Sequence, residues 1–165
     1  MNTSLLKRNI NNIILSKSNS DINFFVTKKS FLDKNFSCLK DVFMEIKKIS
    51  EQEFGLQDNK IFSSLKNKGE NKLIALDNGI LLINSLFKEL KKNCLIFFRL
   101  EKPILFNNQK STDIIFALLT PNNIETSNKL QILAKLTRIL KSPNIRKEIK
   151  GVKKPEDVLA LLLLP

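Results

Sequence analysis

DIIFALLTP, residues 113–121, is almost entirely apolar between its first residue and its closing threonine and proline. Two similar runs precede it at residues 80–83 and 94–100, and both are rich in isoleucine, leucine and phenylalanine. Short continuous apolar runs that end in turn-forming residues are typical of strands buried on both faces. The three runs therefore predict the centre of a β-sheet that is covered above and below.

Helical spacing surrounds these runs in the sequence. After the candidate N-cap Asp33, and again after Ser127, apolar residues recur at steps of three and four. Pro155 is followed by two carboxylates, which predicts the start of a last helix. We therefore predict an α/β fold, with a single central mixed β-sheet flanked by helices on both faces. It would form one domain over residues 1–165, with an irregular or extended N-terminal region at about residues 1–32.

The chain is strongly basic, with a net charge of +12 and a pI of about 9.8. Such a charge suggests a polyanionic partner, either nucleic acid or an anionic membrane surface. Lysines dispersed among many asparagines are also the amino-acid usage expected of an AT-rich genome. Genome bias would therefore explain the net charge without a binding face. A local excess remains at residues 129–154, where nine basic residues accompany a single Glu148. It predicts either a solvated helical face or a polyanion surface. The residues of that surface would be Lys135, Arg138, Lys141, Arg146, Lys147 and Lys150.

Several kinds of site have no support in the sequence. The chain has no histidine, and Cys38 and Cys94 lack metal-ligand spacing, so we expect no metal and no other cofactor. Neither a Walker loop nor a dinucleotide fingerprint occurs. No apolar run approaches the ~20 residues that cross a bilayer, and no signal-peptide core is present. We therefore expect a cytoplasmic protein without membrane insertion.

Three short motifs lie at fixed positions relative to the apolar runs. Asn78-Gly79-Ile80 opens the first apolar run, Lys102-Pro103-Ile104 follows the second, and Phe116 to Pro121 ends the third. In this order they resemble the EIIA domain of the mannitol/fructose type of the bacterial phosphotransferase system, nearest to its nitrogen-regulatory proteins. The resemblance implies an EIIA-like sandwich, in which the family carries its phosphoryl-acceptor histidine at the end of Asn-Gly-Ile-Ala-Ile-Pro-His.

This chain departs from the family pattern where the resemblance places the chemistry. Asn84 stands at the acceptor histidine, Lys129 at a second family histidine, and Lys68 where a basic residue precedes the acceptor segment. Residues 72–77 replace a glycine-rich run. The resemblance thus implies a degenerate phosphoryl-acceptor site with no catalytic residue. Its residues would be Asn84, Lys68, Lys129, Asn78, Gly79 and Ser85.

An asparagine cannot take over the role of the histidine, because its amide nitrogen lone pair is delocalised into the carbonyl. We therefore predict a non-phosphorylatable regulatory domain, not an enzyme, that acts by protein–protein contact on transport or metabolism. The resemblance implies a phosphocarrier protein, a transporter or a sensor kinase as partner. One alternative is a basic protein on the same fold that binds nucleic acid or another polyanion. Another is an enzyme of unrelated chemistry, which would need a pocket of titratable groups.

Overall fold

The computed structural model describes residues 13–15, 25–27, 31–55, 72–88, 90–91, 93–106, 110–123 and 126–163. Within these ranges the chain forms seven strands and four helices. The strands are β1 Ile13–Leu15, β2 Phe25–Thr27, β3 Phe31–Lys34, β4 Lys72–Ala75, β5 Ile80–Phe87, β6 Cys94–Phe106 and β7 Lys110–Pro121. The helices are α1 Leu39–Phe54, α2 Thr126–Leu140, α3 Ile145–Gly151 and α4 Pro155–Leu163.

The three longest strands form the centre of one mixed sheet. β7 lies between β5, with which it pairs in parallel, and β6, with which it pairs antiparallel. β4 extends the sheet beyond β5 in antiparallel register. On the other side, β2 and β3 pair in parallel with successive parts of β6, and β1 pairs with β2. The order β1-β2-β6-β7-β5-β4, with β3 also on β6, confirms the single mixed sheet that the apolar runs predict.

Helices cover both faces of this sheet, because successive side chains of a strand point to opposite sides. Leu81 and Ile83 of β5 pack in the core that contains α1, whereas Ile80 and Leu82 pack against α2, α3 and α4. The alternation continues along β7. The predicted sandwich is therefore confirmed, and a polar residue on β5 belongs to one helical layer or the other according to its position.

The structure corrects the predicted start of α1. Asp33 is not the N-cap, because it lies in β3 with a φ of 57°. The helix begins at Leu39 after Cys38, whose side chain makes no capping hydrogen bond. Asp41 in the first turn instead accepts a hydrogen bond from the Ser37 backbone N–H at 3.0 Å. This contact connects the residue before the N-cap to the first turn of α1.

Two further segments refine the prediction. The sequence predicts an irregular or extended region at about residues 1–32. The structure shows strands there, namely β1, β2 and the start of β3. α3 is a short helix that the spacing did not predict, and its buried residues are Ile145 and Ile149. In the part of the chain that the structure describes, no helix combines the length and apolar character needed to cross a membrane.

Candidate functional site

Asn84 lies in the C-terminal half of β5, on the face that α2 covers. Its backbone partner on β7 is Leu118, which brings Thr120 close to it on the same face. The Thr120 hydroxyl, only 2% exposed, donates a hydrogen bond to Asn84 Oδ1 at 3.2 Å. The Asn84 side chain is partly buried, and this contact fixes the direction of its amide. The residue that the sequence motif predicts at the acceptor position is therefore held by the sheet.

Lys129 reaches the same end of the sheet from the first turn of α2. Its Nζ donates to the Asn122 carbonyl at 2.9 Å, and the Asn122 N–H donates to the Phe87 carbonyl at 3.0 Å. This chain of hydrogen bonds connects the end of β5 to the start of α2. The structure thus brings Lys129 and Asn84 to one end of the sheet, where the positive end of the α2 dipole also lies.

One other predicted site residue, Ser85, does not join Asn84 on this face. Ser85 follows it in β5 and is buried, so strand alternation turns its side chain toward the layer of α1. It does not share a cavity with Asn84 on the α2 side. Lys68 lies outside the described residues.

Asn78 and Gly79 lie at the opposite end of β5, in the turn that precedes it. Five residues separate Gly79 from Asn84, which corresponds to about 16 Å along a strand. Asn78 Nδ2 donates to the Leu140 carbonyl at 2.9 Å, and this contact ties the turn to the C-terminal end of α2. The structure therefore divides the five described residues of the predicted site between two ends of β5.

An ion-pair cluster occupies the end of the sheet that contains Gly79. Arg146 of α3 donates to both carboxylate oxygens of Asp113, at 2.6 and 2.8 Å, and to the Asn78 carbonyl at 3.0 Å. Lys150 pairs with the same carboxylate. Burial alone would raise the pKa of Asp113, but the hydrogen bonds and charges of Arg146 and Lys150 outweigh it and hold the pKa below its usual value.

This cluster changes the interpretation of the predicted polyanion surface. Arg146 and Lys150 are half-buried and engaged with Asp113, so part of their charge is neutralised. Arg138 and Lys141 are exposed near the end of α2, Lys147 is exposed on α3, and Lys135 is partly buried. The six cations thus occupy different environments on two helices, and a common polyanion surface stays a prediction.

The turn before β5 requires glycine at position 79. Its φ is +79°, and a Cβ added there would lie 2.9 Å from Arg146 Nη1. We expect Gly79→Ala to lower the free energy of unfolding by about 1–2 kcal/mol, because the backbone is strained and the guanidinium must shift. Urea denaturation measures this change.

Gly151→Ala is the matched control for that substitution. Gly151 is helical, and an added Cβ would meet nothing within 4 Å. Alanine there is expected to leave stability unchanged or raise it slightly. Equal effects at the two positions would contradict a special role for Gly79.

Two residues of these sites, Thr120 and Asp113, escaped prediction from the sequence, as did Arg99 of β6, which donates to the Asp33 carboxylate. Thr120 and Asp113 lie at the two ends of the third apolar run, and Arg99 lies within the second. A charged residue inside a buried run is itself a signal, since buried charges require partners. The sequence could have raised Arg99 and Asp113 as members of ion pairs, but not identified their partners.

Comparison with known proteins places this geometry in a family. The family model for the EIIA 2 component of the phosphoenolpyruvate-dependent sugar phosphotransferase system matches residues 23–164. A nitrogen regulatory protein of Bradyrhizobium diazoefficiens is 23% identical over 128 residues, which is 76% of this chain and 83% of that protein.

Two solved structures share the fold. Nitrogen regulatory protein IIA-Ntr of Neisseria meningitidis gives a TM-score of 0.70 at 24% identity, over 83% of this chain and 95% of that one. The enzyme IIA of the mannitol system of Escherichia coli, determined in complex with its phosphorylated enzyme IIB, gives 0.64 at 14% identity, over 84% and 97%. Because the family model spans nearly the whole sequence, this chain belongs to the EIIA 2 family of the phosphoenolpyruvate-dependent sugar phosphotransferase system.

Proposed function

We propose that this protein is a non-phosphorylatable EIIA of the nitrogen-regulatory type that acts by binding other proteins. The observation that carries the proposal is Asn84, which stands at the acceptor position and is fixed there by Thr120. In the family the same position belongs to the histidine that carries the phosphoryl group. The protein would therefore mimic one fixed phosphorylation state.

The chemistry of the amide supports this proposal. A phosphoryl acceptor needs a nucleophilic nitrogen that is neutral near pH 7 and leaves readily, and imidazole has both properties. Asn84 can donate and accept hydrogen bonds but cannot carry phosphate. The Lys129 Nζ is engaged as a hydrogen-bond donor to the Asn122 carbonyl. With no histidine in the sequence, a relay through imidazole has no residue to use.

The backbone beside Asn84 supports the same conclusion. Where the family has its glycine-rich run, this chain forms β4, and Lys72 is the backbone partner of Asn84 across the β4–β5 pair. Glycines allow a backbone to approach a phosphate closely, whereas residues 72–77 all carry side chains. Loss of the acceptor is thus accompanied by loss of the surroundings that the family uses to hold phosphate.

The fold around the altered site is intact, which supports a role in protein contact. Asn84 and Lys129 lie on β5 and α2, and apolar side chains of these two elements pack in one core cluster within the described residues. Drift without selection would be expected to erode this packing together with the acceptor. We infer that the surface is retained because a phosphocarrier protein, a transporter or a sensor kinase binds it.

A labelling experiment tests the proposal. The protein is incubated with radiolabelled phosphoenolpyruvate, the general enzyme of the phosphotransferase system and the phosphocarrier protein. We expect no label in the wild-type chain and acid-labile label in Asn84→His, because that substitution returns an imidazole to the acceptor position. IIA-Ntr of Neisseria meningitidis serves as the positive control.

The two arms test separate parts of the proposal. Stoichiometric, acid-labile label in the wild-type chain would overturn the non-phosphorylatable assignment. An unlabelled Asn84→His that is folded would instead show that the altered surroundings at residues 72–77, and not the missing imidazole alone, prevent phosphoryl transfer. Intact-mass measurement and thermal unfolding confirm the state of each sample.

A further inference from the structure

An open groove runs along α2 beside the edge strand β4. Its volume is about 590 Å³, within the range in which proteins bind ligands or side chains of a partner. Ile74 from β4 and Leu130, Leu133 and Ala134 from α2 provide an apolar lining. The Leu130 side chain is large and apolar, yet it is 55% exposed. The neighbouring lining residue Ala134 is exposed as well, so the two form an apolar patch on the surface.

Basic residues lie at one end of this groove. Arg138 and Lys141 line it near the C-terminal end of α2, and none of its lining residues, all within the described part of the chain, is acidic. Leu130, Ala134 and Arg138 follow one another at steps of four, so they lie on one stripe of α2, and Lys141 comes directly after the helix. The stripe is apolar at its start and cationic at its end.

One end of the groove is lined by residues that are near neighbours, along α2 and β4, of residues at the altered acceptor site. Leu130 follows Lys129 in α2, and Ile74 lies two residues beyond Lys72, the backbone partner of Asn84. From Leu130 to Lys141 the helix rises about 16 Å, which is about three helical turns. A partner that binds near Asn84 can therefore extend along α2 without leaving the surface.

We propose that this groove binds an amphipathic helix of a partner protein that carries carboxylates beyond its apolar stripe. The proposal rests on the function proposed above and assigns a binding surface to it. Apolar residues of the partner at i, i+3 or i+4, and i+7 would pack on Leu130, Ala134 and Ile74. Asp or Glu one to two turns further along would pair with Arg138 and Lys141.

Charge argues against a second copy of this chain as the occupant, and the aliphatic lining argues against a nucleic acid. A second copy of this chain would bring a further net charge of +12 to the same cations. A nucleic acid would meet Arg138 and Lys141 but would leave the aliphatic lining without a matching surface, since it binds through phosphates and stacked bases. An acidic amphipathic helix matches both the apolar and the basic part.

Selection from a phage-displayed library of helical peptides tests the inference. We expect enriched peptides to combine an apolar stripe with acidic residues, and fluorescence anisotropy to give their dissociation constants. Leu130→Asp should weaken binding at least about tenfold, because it places a charge against the apolar stripe. Arg138→Glu should also weaken binding, and exchange of the facing peptide carboxylate for lysine should restore it.

Leu105→Asp is the matched control, because Leu105 on β6 is 67% exposed and does not line the groove. It should bind the peptides as the wild type does, and thermal unfolding shows that each variant is folded. Absence of enriched peptides, enrichment of basic ones, or equal affinity for Leu130→Asp would overturn the inference. Salt-sensitive binding of single-stranded RNA that requires Arg138, without any enriched peptide, would overturn it in favour of a nucleic acid. None of these outcomes depends on the labelling experiment.

Discussion

Arg99→Met is expected to lower the free energy of unfolding by about 3 kcal/mol, because one buried guanidinium holds two separate parts of the fold. The Arg99 side chain is 9% exposed and donates Nε and Nη2 to the Asp33 carboxylate at 3.2 Å each. Its Nη1 lies 3.2, 3.1 and 2.7 Å from the carbonyls of Ile149, Lys150 and Val152.

Those carbonyls lie at the C-terminal end of α3, where a helix lacks intrahelical donors. Arg99 supplies the missing donors with a positive charge, which the end of the helix also favours. Methionine fills the space but donates nothing, so the buried carbonyls lose their partner. Urea denaturation measures the loss, and hydrogen exchange should show faster exchange of the α3 amides than of the β7 amides.

Two variants separate the contributions of Arg99. Arg99→Lys keeps the charge but not the planar set of donors, so it should recover only part of the stability. Asp33→Asn should cost less than either, because Asp33 is 66% exposed and asparagine tolerates its positive φ. If Arg99→Met changed the unfolding free energy by less than about 1 kcal/mol, the capping role would be wrong.

The sequence predicted the strands and helices that follow from periodic apolar spacing, but it did not predict contacts between residues far apart in the chain. Strand interiors, helix spacing and the two covered faces follow from periodic burial of apolar side chains, so residues 80–83 and 94–100 predict their strands directly. Asp33 was misassigned as a helix cap, since its partner Arg99 lies 66 residues away. Nothing in local spacing reveals a contact of that range.

The candidate site shows the same difference between residues that a local motif predicts and contacts that it does not. Asn84 was identified because a motif places it, and the motif is local. Its contact with Thr120 depends on the parallel register of β5 and β7, which the sequence does not specify. The motif also joined Asn78 and Gly79 to Asn84, although strand geometry places them at the other end of β5. A sequence motif identifies residues that are close along the chain, whereas the geometry of the sheet determines which of them are close in space.

Asp113→Asn is expected to lower the free energy of unfolding by about 2 kcal/mol at pH 7, because it leaves two half-buried cations without their counter-charge. The Asp113 side chain is 9% exposed, and Arg146 and Lys150 are each 37% exposed. Their partial access to water reduces the loss below that of a fully buried pair. An asparagine preserves the shape of the side chain, so the change isolates the charge.

The lowered pKa of Asp113 determines how the stability difference between the wild type and Asp113→Asn changes with pH. The folded-state pKa of Asp113 lies below its unfolded value, so the folded protein binds the proton less readily than the unfolded chain. The stabilisation is therefore fully present above the unfolded pKa, about 3.9, and is lost as the pH falls through that value toward the folded pKa. The wild type and Asp113→Asn should differ most at pH 6–7, and their unfolding free energies should converge as the pH falls below about 4.

Asp77→Asn is the control for the pH series, because Asp77 is fully exposed and pairs with Lys110 across 3.4 Å of open surface. It should leave the stability and its pH profile unchanged. A constant difference between wild type and Asp113→Asn from pH 7 to pH 3 would contradict a charge effect and point to altered packing instead. Convergence at low pH would show that α3 is held to β7 by the charge of Asp113, and it would predict a smaller contribution of Arg146 and Lys150 to any basic binding surface.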